Sequence, residues 1–158
     1  MTDINSLLFK IEMSPQIPSQ GAILISEPFL REEYFCHAVI SIVDYSSNNS
    51  AMGIVINKPT HLFLDEIVPD IYSDTNIKIY CGGPLSSDRL YYIHTLGDLI
   101  TDAKKISDGL YIGGDFNKII EYVNSGNEIE GKIKFFLGYC GWEVGQLEEE
   151  LSQHIWAV

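Results

Sequence analysis

Apolar residues along the chain recur mainly with the two-residue period of β-strands, and helical spacing is confined to a few short segments. Seven runs rich in Val, Ile, Tyr and Phe therefore predict strands. They are Ala22–Ser26, Phe35–Val43, Ala51–Ile56, Ile77–Cys81, Arg89–His94, Leu110–Ile112 and Ile133–Cys140. Because strands arrive in runs rather than alternating with helices, the pattern predicts an α+β protein, not a doubly wound sheet.

The run Phe35–Val43 is apolar on both of its faces, which is typical of a central strand covered on both sides. The polar stretch Ser46–Ser50 follows it and precedes another apolar run. Polar residues of this kind favour a tight turn, so the sequence predicts a β-hairpin here.

Helical spacing occurs first near the N-terminus, where Ile4, Leu7, Leu8 and Ile11 predict a helix over about 4–12. A proline-containing connector, 14–21, separates it from the main body of a single domain, 1–158. Three more helices are predicted to cover the sheet: His61–Val68, one marked by Phe116, Ile119, Ile120 and Val123 with Asp115 as its cap, and one marked by Val144, Leu147 and Leu151.

Charge narrows the classes of function. The 158 residues include 10 basic and 22 acidic side chains, a net charge of −12, and the longest basic run is the pair Lys104-Lys105. Nucleic acids and anionic membranes would be repelled by such a surface, so we expect neither as a direct partner. The three cysteines form no C-x-x-C pair, and no signal peptide or membrane span is present in the sequence, which predicts a cytoplasmic protein.

Candidate catalytic and metal-binding residues are few. The four histidines lack helical metal-site spacing, so neither a metal nor another cofactor is expected. Cys140 lies between glycines and could be a nucleophile at a strand end, but a small core residue is the favoured interpretation. No catalytic residue is assigned.

Two glycine pairs and one arginine could take an anionic ligand. Gly82-Gly83-Pro84 follows a predicted strand and Gly113-Gly114-Asp115 precedes a predicted helix, and backbone N–H groups at such turns can bind anions. A tight turn is nevertheless the favoured interpretation of both pairs, because neither is followed by a cationic residue. Arg89 could bind a carboxylate or phosphate, or could pair with a nearby acid such as Asp88. Trp142, between Gly138 and Gly145, is expected to be a core residue in an architectural segment rather than an interface anchor.

Several of these segments together resemble the AlgH/YqgE family of bacterial proteins. The matching runs are Gly21–Pro28, Gly53–Pro59, Gly82-Gly83-Pro84, Arg89-Leu90 with His94, Gly109–Gly113, and the most specific, Leu137–Glu148, with Trp156 beyond it. The resemblance implies an α+β fold in which a branched β-sheet, including a small closed barrel, is surrounded by helices. It implies the label of transcriptional regulator without an established reaction, a DNA-binding motif or agreed site residues.

Two hypotheses for function follow. In the first, the chain is a non-enzymatic cytoplasmic protein that acts on transcription indirectly, through an unidentified protein or small-molecule partner rather than DNA. In the second, it is an enzyme or a binding protein for an anionic metabolite. The ligand-binding residues predicted for the second are Asn57, Gly82, Gly83, Pro84, Arg89, His94 and Gln146.

Overall fold

A computed structural model of the chain describes residues 18–27, 37–46, 50–72 and 76–158. The predicted N-terminal helix and the first half of the predicted connector, 14–17, lie outside these described residues.

Ten strands form one sheet in the described residues. They are β1 Ile23–Ser26, β2 Val39–Tyr45, β3 Ala51–Val55, β4 Pro59–Phe63, β5 Lys78–Cys81, β6 Leu85–His94, β7 Lys104–Ser107, β8 Leu110–Ile112, β9 Ile133–Trp142 and β10 Trp156–Ala157. All strand pairs are antiparallel except β5 with β9, so the prediction of an α+β protein is confirmed. The hairpin of β2 and β3 is also confirmed, and β2 lies centrally between β1 and β3.

The sheet branches at β9. The first half of β9 lies between β6 and β5, with Ile79 opposite Phe135, whereas its last residues pair with β3, with Ala51 opposite Trp142. The branched sheet implied by the resemblance is therefore present.

The predicted small barrel does not close. The paired strands run from β10 to β7, and no ladder joins β7 to β2 within the described residues. Side chains bridge the gap instead: Lys104 Nζ pairs with Asp44 Oδ1 at 2.7 Å, and Gln20 Nε2 donates to the carbonyl of Lys105 at 2.9 Å. The sheet curls toward itself and stays open.

Three short helices accompany the sheet in the described residues, fewer than a sheet surrounded by helices requires. They are α1 Leu64–Ile67, α2 Phe116–Asn124 and α3 Gln146–Ser152. The predicted helix at His61–Val68 is mostly wrong, because His61 lies in β4 and only one turn of helix follows. Asp115 caps α2 as predicted, its Oδ1 accepting from the Asn117 N–H at 3.0 Å. Val144 precedes α3 and is 65% exposed, so it is not part of the apolar stripe.

Alternating side chains of β9 enter different cores. Phe135 packs beneath α2 with Ile119 and Val123, whereas Phe136 points into the inside of the curl. Beyond these, Trp142 packs with Trp156 in a third core beneath α3. This alternation follows from the two-residue period of a strand, and it leaves one face of β9 inside the curl.

The glycines around Trp142 act for different reasons. A Cβ on Gly138 would lie 2.3 Å from the Gly83 carbonyl oxygen, which confirms that bulk is excluded there. Gly145 has open space around it, but its φ of 78° favours glycine at the start of α3. β9 also continues through Gly141 to Trp142, two residues beyond its predicted end.

Candidate functional site

A cleft of about 790 Å³ opens where β5, β6 and β9 meet at one end of the curled sheet. Its volume lies in the range of about 300–1,000 Å³ that small-molecule sites occupy. Buried apolar side chains form the floor, among them Phe136 at 0% and Ile93 at 9% exposure. Exposed polar side chains form the rim, including Lys78, Lys132 and Glu130. We call this cavity the lysine cleft.

Strand register brings two of the lysines together. The parallel pairing of Ile79 with Phe135 places Lys78 beside Lys134 one residue earlier. Paired residues point to the same face of a sheet, and residues two apart on a strand share that face, so Lys134 and Phe136 both face the cleft. Lys132 joins them from the turn before β9.

Lys134 is the most enclosed of these lysines. Its Nζ donates to the Ile56 carbonyl oxygen at 2.8 Å and lies 4.0 Å from the centre of the Tyr80 ring. Burial lowers the pKa of this ammonium from its ordinary value. An ammonium has three N–H donors, so these contacts leave capacity for a further oxygen ligand.

The cleft lysines differ from three lysines elsewhere on the described surface, which are paired with acids. These pairs are Lys104–Asp44, Lys105–Asp108 and Lys118–Glu121. Within the same part of the chain, Lys78, Lys132 and Lys134 form no salt bridge. The cleft therefore concentrates uncompensated positive charge in an acidic protein.

His94 lines the lysine cleft, but its ring is already bonded. Nε2 donates to the Gly113 carbonyl oxygen at 2.8 Å, and Nδ1 accepts from the Leu96 N–H at 3.1 Å. This pattern assigns the neutral tautomer with the proton on Nε2. Burial at 1% exposure lowers the pKa of His94, although the bond to Gly113 opposes this. His94 is thus a neutral structural residue at the cleft wall.

The other predicted polar ligands lie outside the cleft and serve the backbone or the surface. Both polar atoms of the Asn57 side chain bond to the backbone just before and at the start of β2. Its Oδ1 accepts from the Val39 N–H at 2.9 Å, and its Nδ2 donates to the His37 carbonyl at 2.8 Å. Gln146 Oε1 accepts from the Glu143 N–H at 3.0 Å at the start of α3. Arg89 is exposed, and its guanidinium lies 5.4 Å from the Tyr91 ring centre.

The Gly82-Gly83-Pro84 turn is packed against β9 rather than open to an anion. The Gly82 N–H donates to the Leu137 carbonyl at 2.7 Å, and a Cβ on Gly82 would lie 2.3 Å from the Gly138 carbonyl oxygen. The turn is there because two backbones approach closely. Of the seven predicted ligand-binding residues, only His94 lines the lysine cleft.

Cys140 is a core residue, as expected. It is 2% exposed, its Sγ donates to the Gly82 carbonyl at 3.5 Å, and burial raises its pKa to about 12. A thiol with this pKa is not a thiolate at neutral pH and is therefore a poor nucleophile.

Within the described ranges, no group of three or more His, Cys, Asp or Glu side chains is placed to hold a metal ion. No helix in that part of the chain is long and apolar enough to span a bilayer.

Sequence reasoning missed the cleft lysines. The signal was the alternation Lys132, Lys134, Phe136, which places two of only ten basic residues two positions apart at the start of a predicted strand. Lys78 could not be added without knowing that β5 and β9 are parallel neighbours.

The fold and cleft define an α+β protein built on a branched, open, mostly antiparallel sheet with a basic cleft at one end. The AlgH-like family model matches residues 23–158, and the chain belongs to this family. The family assignment made from the sequence is thereby confirmed.

Similar proteins agree with this assignment. A UPF0301 protein of Parabacteroides distasonis is 46% identical over 152 residues, covering 96% of this chain and 76% of the relative. The solution structure of the AlgH protein from Pseudomonas aeruginosa is 31% identical, with a TM-score of 0.69, and the match covers 91% of this chain and 79% of that one. The crystal structure of protein DIP2367 from Corynebacterium diphtheriae, at 21% identity and a TM-score of 0.71 (95% of this chain, 79% of that one), shares the fold.

Proposed function

We propose that this protein is a non-enzymatic cytoplasmic binding protein whose lysine cleft takes an anionic small molecule. The observation that carries the proposal is the set of three lysines without salt bridges, on one cavity of a chain with net charge −12. Elsewhere in the described residues, acids neutralise Lys104, Lys105 and Lys118.

The local charge of the cleft favours an anion. Three lysines and one glutamate line it, which gives 3 − 1 = +2 with His94 neutral. A concave, partly apolar cavity screens such charge less than open solvent does, so an anion is attracted more strongly there than at an exposed lysine.

Binding without chemistry is supported by the states of the two groups most suited to catalysis. Cys140 is held as a buried thiol, and His94 uses both ring nitrogens for backbone bonds. A general base needs a free nitrogen within reach of its substrate, and a nucleophile needs activation by such a base.

Any regulatory effect would work through this ligand or through protein contacts rather than DNA. The three lysines of the cleft are too few to neutralise the many phosphates of a DNA duplex, and the net charge of −12 opposes its approach. We propose that a protein partner would detect whether the cleft is occupied by its ligand.

A thermal-shift screen tests the proposal. The probes are inorganic phosphate, pyrophosphate, short dicarboxylates, fatty acids and nucleoside monophosphates, because a ligand that binds the folded state raises the melting temperature by mass action. We expect at least one anion to raise it for the wild type, and the Lys78→Met/Lys132→Met/Lys134→Met variant to lose that shift. Lys118→Met, outside the cleft, is the matched control and should keep it. Equal shifts in all three proteins would contradict a role for the cleft.

A gel-shift assay at low salt tests the exclusion of DNA. We expect no retardation of random or promoter DNA by the purified chain. Tight, sequence-selective retardation would overturn the indirect mode of regulation and leave the cleft proposal standing.

A further inference from the structure

We infer that the ligand of the lysine cleft is an amphiphile with a single aliphatic chain and an anionic head group, a fatty acid being the simplest member. This inference rests on the proposed function and narrows it to a chemical class.

The head group is set by the rim. Lys78 and Lys132 are exposed there, and Lys134 lies at the edge of the floor with donor capacity remaining beyond its bond to Ile56. Three ammonium groups on one cavity suit a carboxylate or a phosphate, whose several oxygens can accept from more than one donor.

The apolar wall of the cleft indicates that the ligand has an aliphatic chain. Ile23 is 40% exposed, and Ile56 and Leu110 are half-buried, so all three present apolar surface to the cleft. A ligand chain laid against them removes that surface from water together with its own. Inorganic anions cannot use this wall.

The aromatic rings argue against a nucleotide. Lys134 covers a face of Tyr80, and Phe136 is 0% exposed. His94 has Tyr92 and Tyr111 as stacked neighbours, with ring centres 6.3 and 6.0 Å away. Among the described residues, the rings that line the cleft are thus covered by Lys134, buried or already stacked, which disfavours a nucleotide base, whereas an aliphatic chain needs no ring.

Isothermal titration calorimetry with seven probes tests the class. The probes are octanoate, decanoate, dodecanoate, dodecyl phosphate, dodecanol, AMP and inorganic phosphate, and those with an aliphatic chain are kept below the concentration at which they form micelles or leave solution. Each buried methylene should strengthen binding about fourfold, so two should give about fifteenfold. Dodecanol, which lacks the charge, should bind at least about tenfold more weakly than dodecanoate. Comparison with dodecyl phosphate identifies which head group the lysines prefer.

Variants locate the binding. Lys134→Met should weaken dodecanoate about tenfold, and Lys118→Met should leave it unchanged. If Lys134→Met does not fold, the comparison of dodecanoate with dodecanol on the wild type carries the same information about charge.

The outcomes separate the two levels of the hypothesis. Tighter, lysine-dependent binding of AMP or phosphate would overturn the amphiphile and preserve the anion cleft, as would affinity independent of chain length. If dodecanoate binding survives substitution of all three cleft lysines, dodecanoate binds somewhere other than the lysine cleft, and the inference is overturned. If no anion binds in a lysine-dependent manner, the proposed function fails as well.

Discussion

At both ends of β9 a charged group lies beside aromatic rings, but only one of the two charges is bound by its neighbours. At its C-terminal end, Trp142 and Trp156, here called the indole pair, both donate to Glu150 Oε1, at 3.4 and 3.0 Å. At its N-terminal end, Lys134 lies over Tyr80 with no carboxylate partner among the described residues. The C-terminal end of β9 thus packs against a charge on α3 that two indole N–H groups bind, whereas its N-terminal end carries a charge that no acid of the described residues compensates.

The difference separates packing from binding. The indole pair is 4–5% exposed, its rings meet edge to face with centres 6.2 Å apart, and α3 covers it. Such a cluster stabilises a fold because apolar area is buried while the polar N–H groups are satisfied. The lysine cleft stays open and keeps its positive charge, an arrangement that favours a ligand over stability.

Removing the core of the indole pair should have the largest effect. Trp142→Ala deletes a 5% exposed side chain and leaves a cavity between β9 and α3. We expect the free energy of unfolding to fall by about 3–5 kcal/mol, measured by urea denaturation. Near-normal stability would contradict the assignment of this end of β9 to packing.

Removing the shared acceptor should have the next largest effect. Glu150→Leu keeps apolar bulk but leaves both indole N–H groups without their acceptor, and we expect a loss of about 1–3 kcal/mol. Glu150→Gln retains an acceptor oxygen and is the matched control, with a smaller expected loss by the same measurement. Equal losses in the two variants would mean that the negative charge, rather than the hydrogen bonds, is what matters.

Local sequence patterns correctly predicted the elements that are determined by their own residues rather than by pairing with distant strands. α2 was predictable because Ile119 and Val123 are four residues apart behind the Asp115 cap. β4 was not, because Pro59 reads as a turn and the strand has little alternation. β7 and β10 are short, and only pairing with β8 and β1 makes them strands.

The site was less predictable than the fold, for a physical reason. Arg89, Asn57 and the Gly82-Gly83-Pro84 turn were chosen by residue type, but type does not reveal whether hydrogen bonds are already used within the fold. The lysine cleft depends on the parallel pairing of β5 with β9, residues far apart in sequence.

His94 lines the lysine cleft, but both of its ring nitrogens are hydrogen-bonded within the fold. The dependence of stability on pH therefore tests whether His94 is a structural residue, as the indole pair is. Its pKa is lowered in the folded protein, whereas the unfolded chain titrates near about 6.5. Below about pH 6.5 the unfolded state takes up the proton first, so stability falls as pH falls. We expect this contribution to stay under about 1.4 kcal/mol per pH unit, the limit for one group.

Denaturation of the wild type and of His94→Gln between about pH 7.5 and 5.5 measures that contribution. The variant should be less stable throughout and should show a flatter dependence on pH. His61→Gln removes an exposed imidazole outside the cleft and is the matched control. A parallel decline in wild type and His94→Gln would show that other groups cause the acid sensitivity.

The smallest effect on stability is expected from substitution of Lys134. The contrast with Trp142→Ala, at the other end of β9, should therefore be the largest of all. Lys134→Met loses the bond to the Ile56 carbonyl and the contact with Tyr80, but it also removes the burden of partly burying an ammonium. Because these terms oppose each other, the free energy of unfolding should change by less than about 1 kcal/mol in urea, while stabilisation by an anionic ligand is reduced. A loss comparable to that of Trp142→Ala would mean that Lys134 holds the sheet together, and the division of β9 into a packing end and a binding end would be wrong.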